Sequence, residues 1–200
     1  MGINLKTEEE YEDLLGQWAN LESALNISLS HPMQVAQFGQ RMSQYDKWLS
    51  ALMAHDPDLG LYLLFQVASN STVGYSASHA LMCAVLCHLV AKDCSLPGSD
   101  RDALVLAALT MNVGMTQLQD VLALQKSPPD EQQKAGIQSH PEKSVEMLQA
   151  LGLTDALTLQ TITLHHRPDT STLPLAALSG AERLSFILQD RKSTRLNSSH

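Results

Sequence analysis

The stretch from Tyr75 to Lys92 is so strongly apolar that only a helix enclosed by other elements accommodates it. It stops at Cys94-Ser95-Leu96-Pro97-Gly98. Asp100 to Met111 then reads as a second buried helix, apolar almost all round through Leu104, Leu106, Ala107, Ala108 and Leu109, and ended by Asn112 and Gly114. Two such helices in succession need others to cover them.

The flanking sequence supplies those covers. Thr7-Glu8-Glu9-Glu10 is a capping box, in which the threonine oxygen accepts a backbone N–H and the acidic first turn suits the helix dipole. Tyr11, Leu14, Leu15, Trp18, Leu21 and Leu25 follow at spacings of three and four as one apolar stripe. After a break at His31-Pro32, a second stripe runs through Val35, Phe38, Met42, Tyr45, Leu49 and Leu52. His55-Asp56 precedes Pro57, which disfavours helix at Asp56, so this pair is a turn and a cap for a helix beginning near Asp58. Further on, Ser127-Pro128-Pro129-Asp130 marks a loop before a short polar helix. A separate helix opens at Ser139-His140-Pro141-Glu142, with proline at its first position, Val145, Leu148 and Leu151 on its buried face, and Gly152 closing it. Ala156, Leu159, Ile162 and His166 share a stripe on the next helix, which sends at least one of the paired histidines into the core. Leu175 to Leu188 is the last helix. With aromatics at 4% and β-branched runs sparse, the fold class is all-α.

Charge and cysteine usage exclude several roles. The net charge is -8 and no Lys/Arg cluster interrupts the body of the chain, which argues against nucleic-acid binding. No apolar run is long enough for a bilayer and the N-terminus has no signal-like apolar region, so no membrane association and a cytoplasmic location are expected. Cys83, Cys87 and Cys94 read as reduced thiols. His79, one turn before Cys83, makes a His/Cys metal cluster conceivable, but small packing residues explain the cysteines better.

The remaining signal is an ordered set of isolated histidines: His79 on the apolar helix, His140-Pro141, and the pair His165-His166, followed by Glu182. With Tyr75-Ser76-Ala77-Ser78-His79, Leu109-Thr110-Met111-Asn112-Val113-Gly114, Asp120 to Lys126, Gln138-Ser139-His140-Pro141 and Leu164-His165-His166, the chain resembles the HD superfamily of metal-dependent phosphohydrolases over roughly residues 59 to 190. The likeness is to the HD-GYP branch, whose active members hydrolyse cyclic di-GMP. It implies an HD-like helical bundle over 57–190, with 1–56 as an N-terminal helical extension. The polar, basic segment 191–200 is set apart as a tail resembling foreign read-through after a truncation.

The departures from that pattern are chemical. Met111 and Asn112 stand where the family has its histidine and aspartate, and Met115 where it usually carries lysine. After the histidine pair, Arg167-Pro168-Asp169 to Leu173-Pro174 is shorter than the family's loop. In the family the histidines and aspartates hold two or three divalent cations that activate water against a phosphodiester. Two dications about 3.5 Å apart repel by on the order of 20 kcal/mol at an effective dielectric of about 20, so an anionic bridge is required. Asn112 carries no charge, and the Met111 thioether is a poor ligand for iron, manganese or magnesium.

The resemblance therefore implies lost catalysis at Met111, Asn112 and Met115. It leaves a vestigial metal set of His79, His140, His165, His166 and Glu182, with at most one divalent transition metal, iron or manganese, and Arg167 as a phosphate contact. Each residue also has a plain structural role open to it: a core histidine for His79, a cap for His140, dipole partners for His165 and His166, solvated charge for Glu182 and Arg167. The leading expectation is a degenerate regulatory or interaction module in cyclic-dinucleotide signalling, binding cyclic di-GMP or another signalling protein, or pairing as a homodimer. The alternatives are a phosphodiesterase with a reduced metal site and a structural dimerisation domain.

Overall fold

The computed structural model describes residues 7–166 and 177–196, with residue 55 and residues 190–196 as backbone only. Its helices are α1 (Glu8–Ser30), α2 (Phe38–His55), α3 (Pro57–Asn70), α4 (Tyr75–Asp93), α5 (Gly98–Thr110), α6 (Thr116–Leu124), α7 (Glu131–Ala150), α8 (Ala156–Leu164) and α9 (Gly180–Leu196). Short 3-10 turns occupy Pro32–Gln34 and Val113–Met115. No strand occurs among the described residues, so the all-α expectation holds.

Helix α4 is the hub. Its buried residues include every position from Ser76 to Val85, and it packs against α1, α2, α3, α5, α6 and α9. Enclosure follows from composition, because a helix with no polar face has nothing to offer water. The covering helices turn their stripes inward: Trp18, Leu21 and Leu25 of α1 and Met42 and Leu49 of α2 are fully buried in the same core as Leu81 and Leu104. Each such side chain contributes roughly 1.5–3 kcal/mol on leaving water. The first two helices thus share the core of the main domain. No described helix is long and apolar enough to cross a membrane.

Local signals place most helix starts. Thr7 Oγ1 accepts the Glu10 N–H at 3.1 Å, and Asp56 Oδ1 accepts the Asp58 and Leu59 N–H groups at 2.9 and 3.1 Å. Val35 belongs to the turn rather than to α2, which begins at Phe38 behind Gln37 in a left-handed conformation (φ 52°). The last helix starts at Gly180 and runs through Leu196, into the segment that composition sets apart.

One expectation needs correction. The short polar helix and the helix expected to open at Pro141 are a single element, α7, of 20 residues with Pro141 in its interior. Asp130 sets its start: the Gln133 N–H donates to Asp130 Oδ1 at 2.8 Å while the Asp130 N–H donates to Gln133 Oε1 at 3.0 Å. That reciprocal cap launches the helix early enough to carry it past the proline.

Polar clamps tie the helices across the core. Asp120 of α6 accepts the Ser76 N–H at 2.7 Å, and Ser76 Oγ donates to the Thr116 carbonyl at 2.9 Å, which pins α6 to the start of α4. Buried Glu22 accepts the Ser78 hydroxyl and so links α1 to α4. Between α2, α4 and α5, His88 Nε2 lies 2.7 Å from Asp46 Oδ1, and Arg101 Nη1 donates to both Asp46 oxygens at 3.2 and 3.1 Å. Burial pushes the Asp46 carboxyl up, but the His88 hydrogen bond and the His88 and Arg101 charges outweigh it and hold the group below its ordinary value of 3.8.

A carboxyl depressed in the folded state stabilises the fold above its unfolded-state value and loses that contribution as pH falls through the folded value. Asp46→Asn is expected to lower the unfolding free energy at pH 7 by about 1–3 kcal/mol, because His88 and Arg101 lose a charged acceptor. The deficit should shrink below about pH 4, where the unfolded wild type protonates the same group. Urea denaturation from pH 3 to 7 checks this, and a deficit that does not vary with pH would contradict it.

Candidate metal centre

Three of the expected ligands converge. The imidazoles of His140, His165 and His166 each offer one ring nitrogen within 4.8 Å of the other two. His140 sits on α7 and is fully buried. His165 and His166 follow the last residue of α8, and their rings are 4.4 Å apart between centroids. His165 is 1% exposed and His166 is exposed. The sequence puts at least one of the paired histidines in the core, and it is His165; His166, on the stripe, lies past the end of α8 at Leu164 and is exposed. His165 caps the helix with its backbone still in the right-handed region (φ -66°, ψ -6°).

Two rings are oriented by backbone carbonyls. His140 Nδ1 lies 2.6 Å from the Ile137 oxygen, and His165 Nδ1 lies 2.5 Å from the Ile162 oxygen. A carbonyl only accepts, so both Nδ1 atoms carry the proton and donate it. Both Nε2 atoms then face each other at 3.1 Å. With both rings neutral, two lone pairs point into the same gap. A proton shared between the rings relieves that repulsion, and so does a cation held by both.

The segment expected to carry the missing ligands packs against the same helix. Gly114 donates its N–H to Ser144 Oγ at 3.0 Å, one turn beyond His140, and a Cβ on Gly114 would sit 2.8 Å from the Ser144 backbone nitrogen. Only glycine permits that approach. Met111 is 1% exposed in the core, and the Asn112 Oδ1 atom is buried with no hydrogen-bond partner. Met115 lines a hollow of about 410 Å³ together with Leu29, Pro32, Leu118, Lys143 and Met147. Lys143 therefore brings a cation to the hollow that Met115 lines. No spacing signal marked it, because it lies on a helix read for its apolar face.

The other expected members stand apart from the three histidines. His79 is buried, stacked on Tyr75 with ring centroids 5.6 Å apart, and its Nε2 lies 3.6 Å from Cys83 Sγ. Glu182 is exposed on the first turn of α9, where its carboxylate accepts the Ser179 N–H at 3.0 Å and the Ser179 hydroxyl at 2.7 Å. Ser179 and Glu182 form a helix cap. Arg167, Asp169 and Pro174 lie outside the described residues. Comparison with family models, with curated proteins and with solved structures returned no match. The geometry of the histidines is the observation that bears on function.

Gly114→Ala is expected to destabilise the fold by about 1–3 kcal/mol, since backbone rather than a movable side chain occupies the space. Gly16→Ala, in α1 with nothing within 4 Å, should stabilise it by roughly 0.5–1 kcal/mol. Thermal unfolding of the two variants distinguishes a close helix contact from a generic glycine effect. Equal shifts of the same sign would argue against the contact.

Proposed function

We propose that the chain is a catalytically degenerate HD-GYP-like module of bacterial cyclic-dinucleotide signalling, in which His140, His165 and His166 retain one divalent transition metal, iron or manganese. The observation that supports it most is the 3.1 Å separation of the His140 and His165 Nε2 atoms, with both Nδ1 atoms committed to carbonyls. Two nitrogens each about 2.0–2.1 Å from one ion stand roughly 2.8–3.4 Å apart, from octahedral to tetrahedral angles. The observed gap lies in that interval. His166, exposed at the edge, offers a ring nitrogen within 4.8 Å of the other two.

A two-metal centre fits these residues poorly. It needs a carboxylate shared between the ions, and the group of three histidines includes none. Asn112, which the resemblance aligns with the bridging aspartate, has a neutral amide. A single bound ion would supply Lewis acidity toward an anionic oxygen. The chain's own contribution is to hold two imidazoles in one tautomer, bury them, and leave a third at the surface. That set suits binding of a phosphate-bearing ligand or a protein carboxylate better than phosphodiester cleavage. In this reading the module acts by binding cyclic di-GMP or a signalling partner.

Elemental analysis tests the proposal, on protein purified with iron(II) or manganese available and without a metal-binding tag. About one ion per chain is expected, with loss in His140→Ala and His165→Ala. No ion in the wild type overturns the metal site. Two ions per chain, together with cyclic di-GMP turnover that disappears in His140→Ala, would replace this reading with the phosphodiesterase.

A further inference from the structure

We infer that Pro141 is a positioning residue for the histidine site, because its missing N–H frees the carbonyl that sets the His140 tautomer. This rests on the metal-site reading above. In an uninterrupted α-helix the Ile137 carbonyl accepts the N–H of residue 141, four positions on. Residue 141 is proline, buried within α7, so that bond does not exist, and the pyrrolidine ring crowds the same carbonyl away from the helix axis. His140 Nδ1 takes the vacated acceptor at 2.6 Å.

The consequence is local and chemical. Thr110 and Thr161 in this bundle donate to helix carbonyls at 2.7 and 2.8 Å while the backbone ladder is intact, whereas the Ile137 carbonyl has no N–H from residue 141 to share, and an imidazole chooses its tautomer by what it meets. Here the choice is made by the adjacent residue. The proton stays on Nδ1 and the Nε2 lone pair points to His165. His165 reaches the same state by another route. Its Nδ1 bonds the Ile162 carbonyl in the last turn of α8, which also accepts the His165 backbone N–H at 3.4 Å where the helix closes. A proline within one helix and the end of another thus present matching nitrogens to one gap.

The test is a pair of variants, Pro141→Ala and Pro141→Val, which both restore the N–H while the valine keeps most of the ring's volume. Two measurements are needed: nitrogen-15 NMR of the His140 ring in metal-free protein, and titration with manganese or iron(II). In the wild type the His140 Nδ1 resonance should be that of a protonated nitrogen. In both variants the tautomer population should shift toward Nε2–H, and metal affinity should fall by about tenfold or more, the usual effect of losing an outer hydrogen bond to a ligand. Thermal stability should hold or rise, since a helix interior regains a hydrogen bond.

Loss of stability with an unchanged His140 tautomer would mean that Pro141 only packs, and would overturn the inference. So would an unchanged metal affinity in a variant whose tautomer has moved. A wild type that binds no metal defeats the site reading itself, and the metal-free NMR then still decides whether Pro141 sets the tautomer.

Discussion

Everything in this bundle depends on hiding a helix that has no polar side. Because α4 buries residues around its whole circumference, six other helices are drawn to it, and the positions of the rest follow from which face each one covers. The few polar groups on α4 become fixed points for the same reason. Ser76 and Ser78 are nearly inaccessible, so each must find a partner inside, and those partners, Asp120 with Thr116 and Glu22, anchor α6 and α1. Burial supplies the driving force, and the unavoidable hydrogen bonds supply the register.

The histidine site depends on backbone geometry in a comparable way. The Nδ1 atoms of His140 and His165 both meet backbone carbonyls, one kind of outer partner that fixes a metal-binding imidazole. Each is held by a carbonyl three residues earlier in its own helix. Orientation by these carbonyls is encoded within a few residues of sequence. The arrangement stands as long as α7 and α8 keep their local shape. The turn at Val113–Met115 meets α7 through Gly114 and Ser144, so the end of α5 is seated on the helix that carries His140.

Much of this was legible beforehand. Apolar stripes and capping residues placed α1, α3 and α4 to within a residue or two, because those signals are local and act where they are written. Reading failed where a local preference met a stronger neighbour. Proline favours the first turn of a helix, yet the Asp130–Gln133 cap had already begun one ten residues earlier. The stripe on α8 sends one of the paired histidines inward as expected, but which of the two it is was not written in the spacing, since the helix stops at Leu164. The three histidines could be listed from sequence, but their convergence could not. It depends on how α7 packs on α8, and no periodicity within either helix records that packing. Glu182 looked like a ligand by order alone, whereas three residues upstream a serine was waiting for it as a cap.

His165 and His166 are neighbours in sequence but unequal in exposure. Two of the three nitrogens are sealed behind helices, and the third stands at the surface on a short turn. An ion held as proposed would meet two buried nitrogens and one at the surface, so His166 would be the member of the set that a partner arriving from solvent also meets.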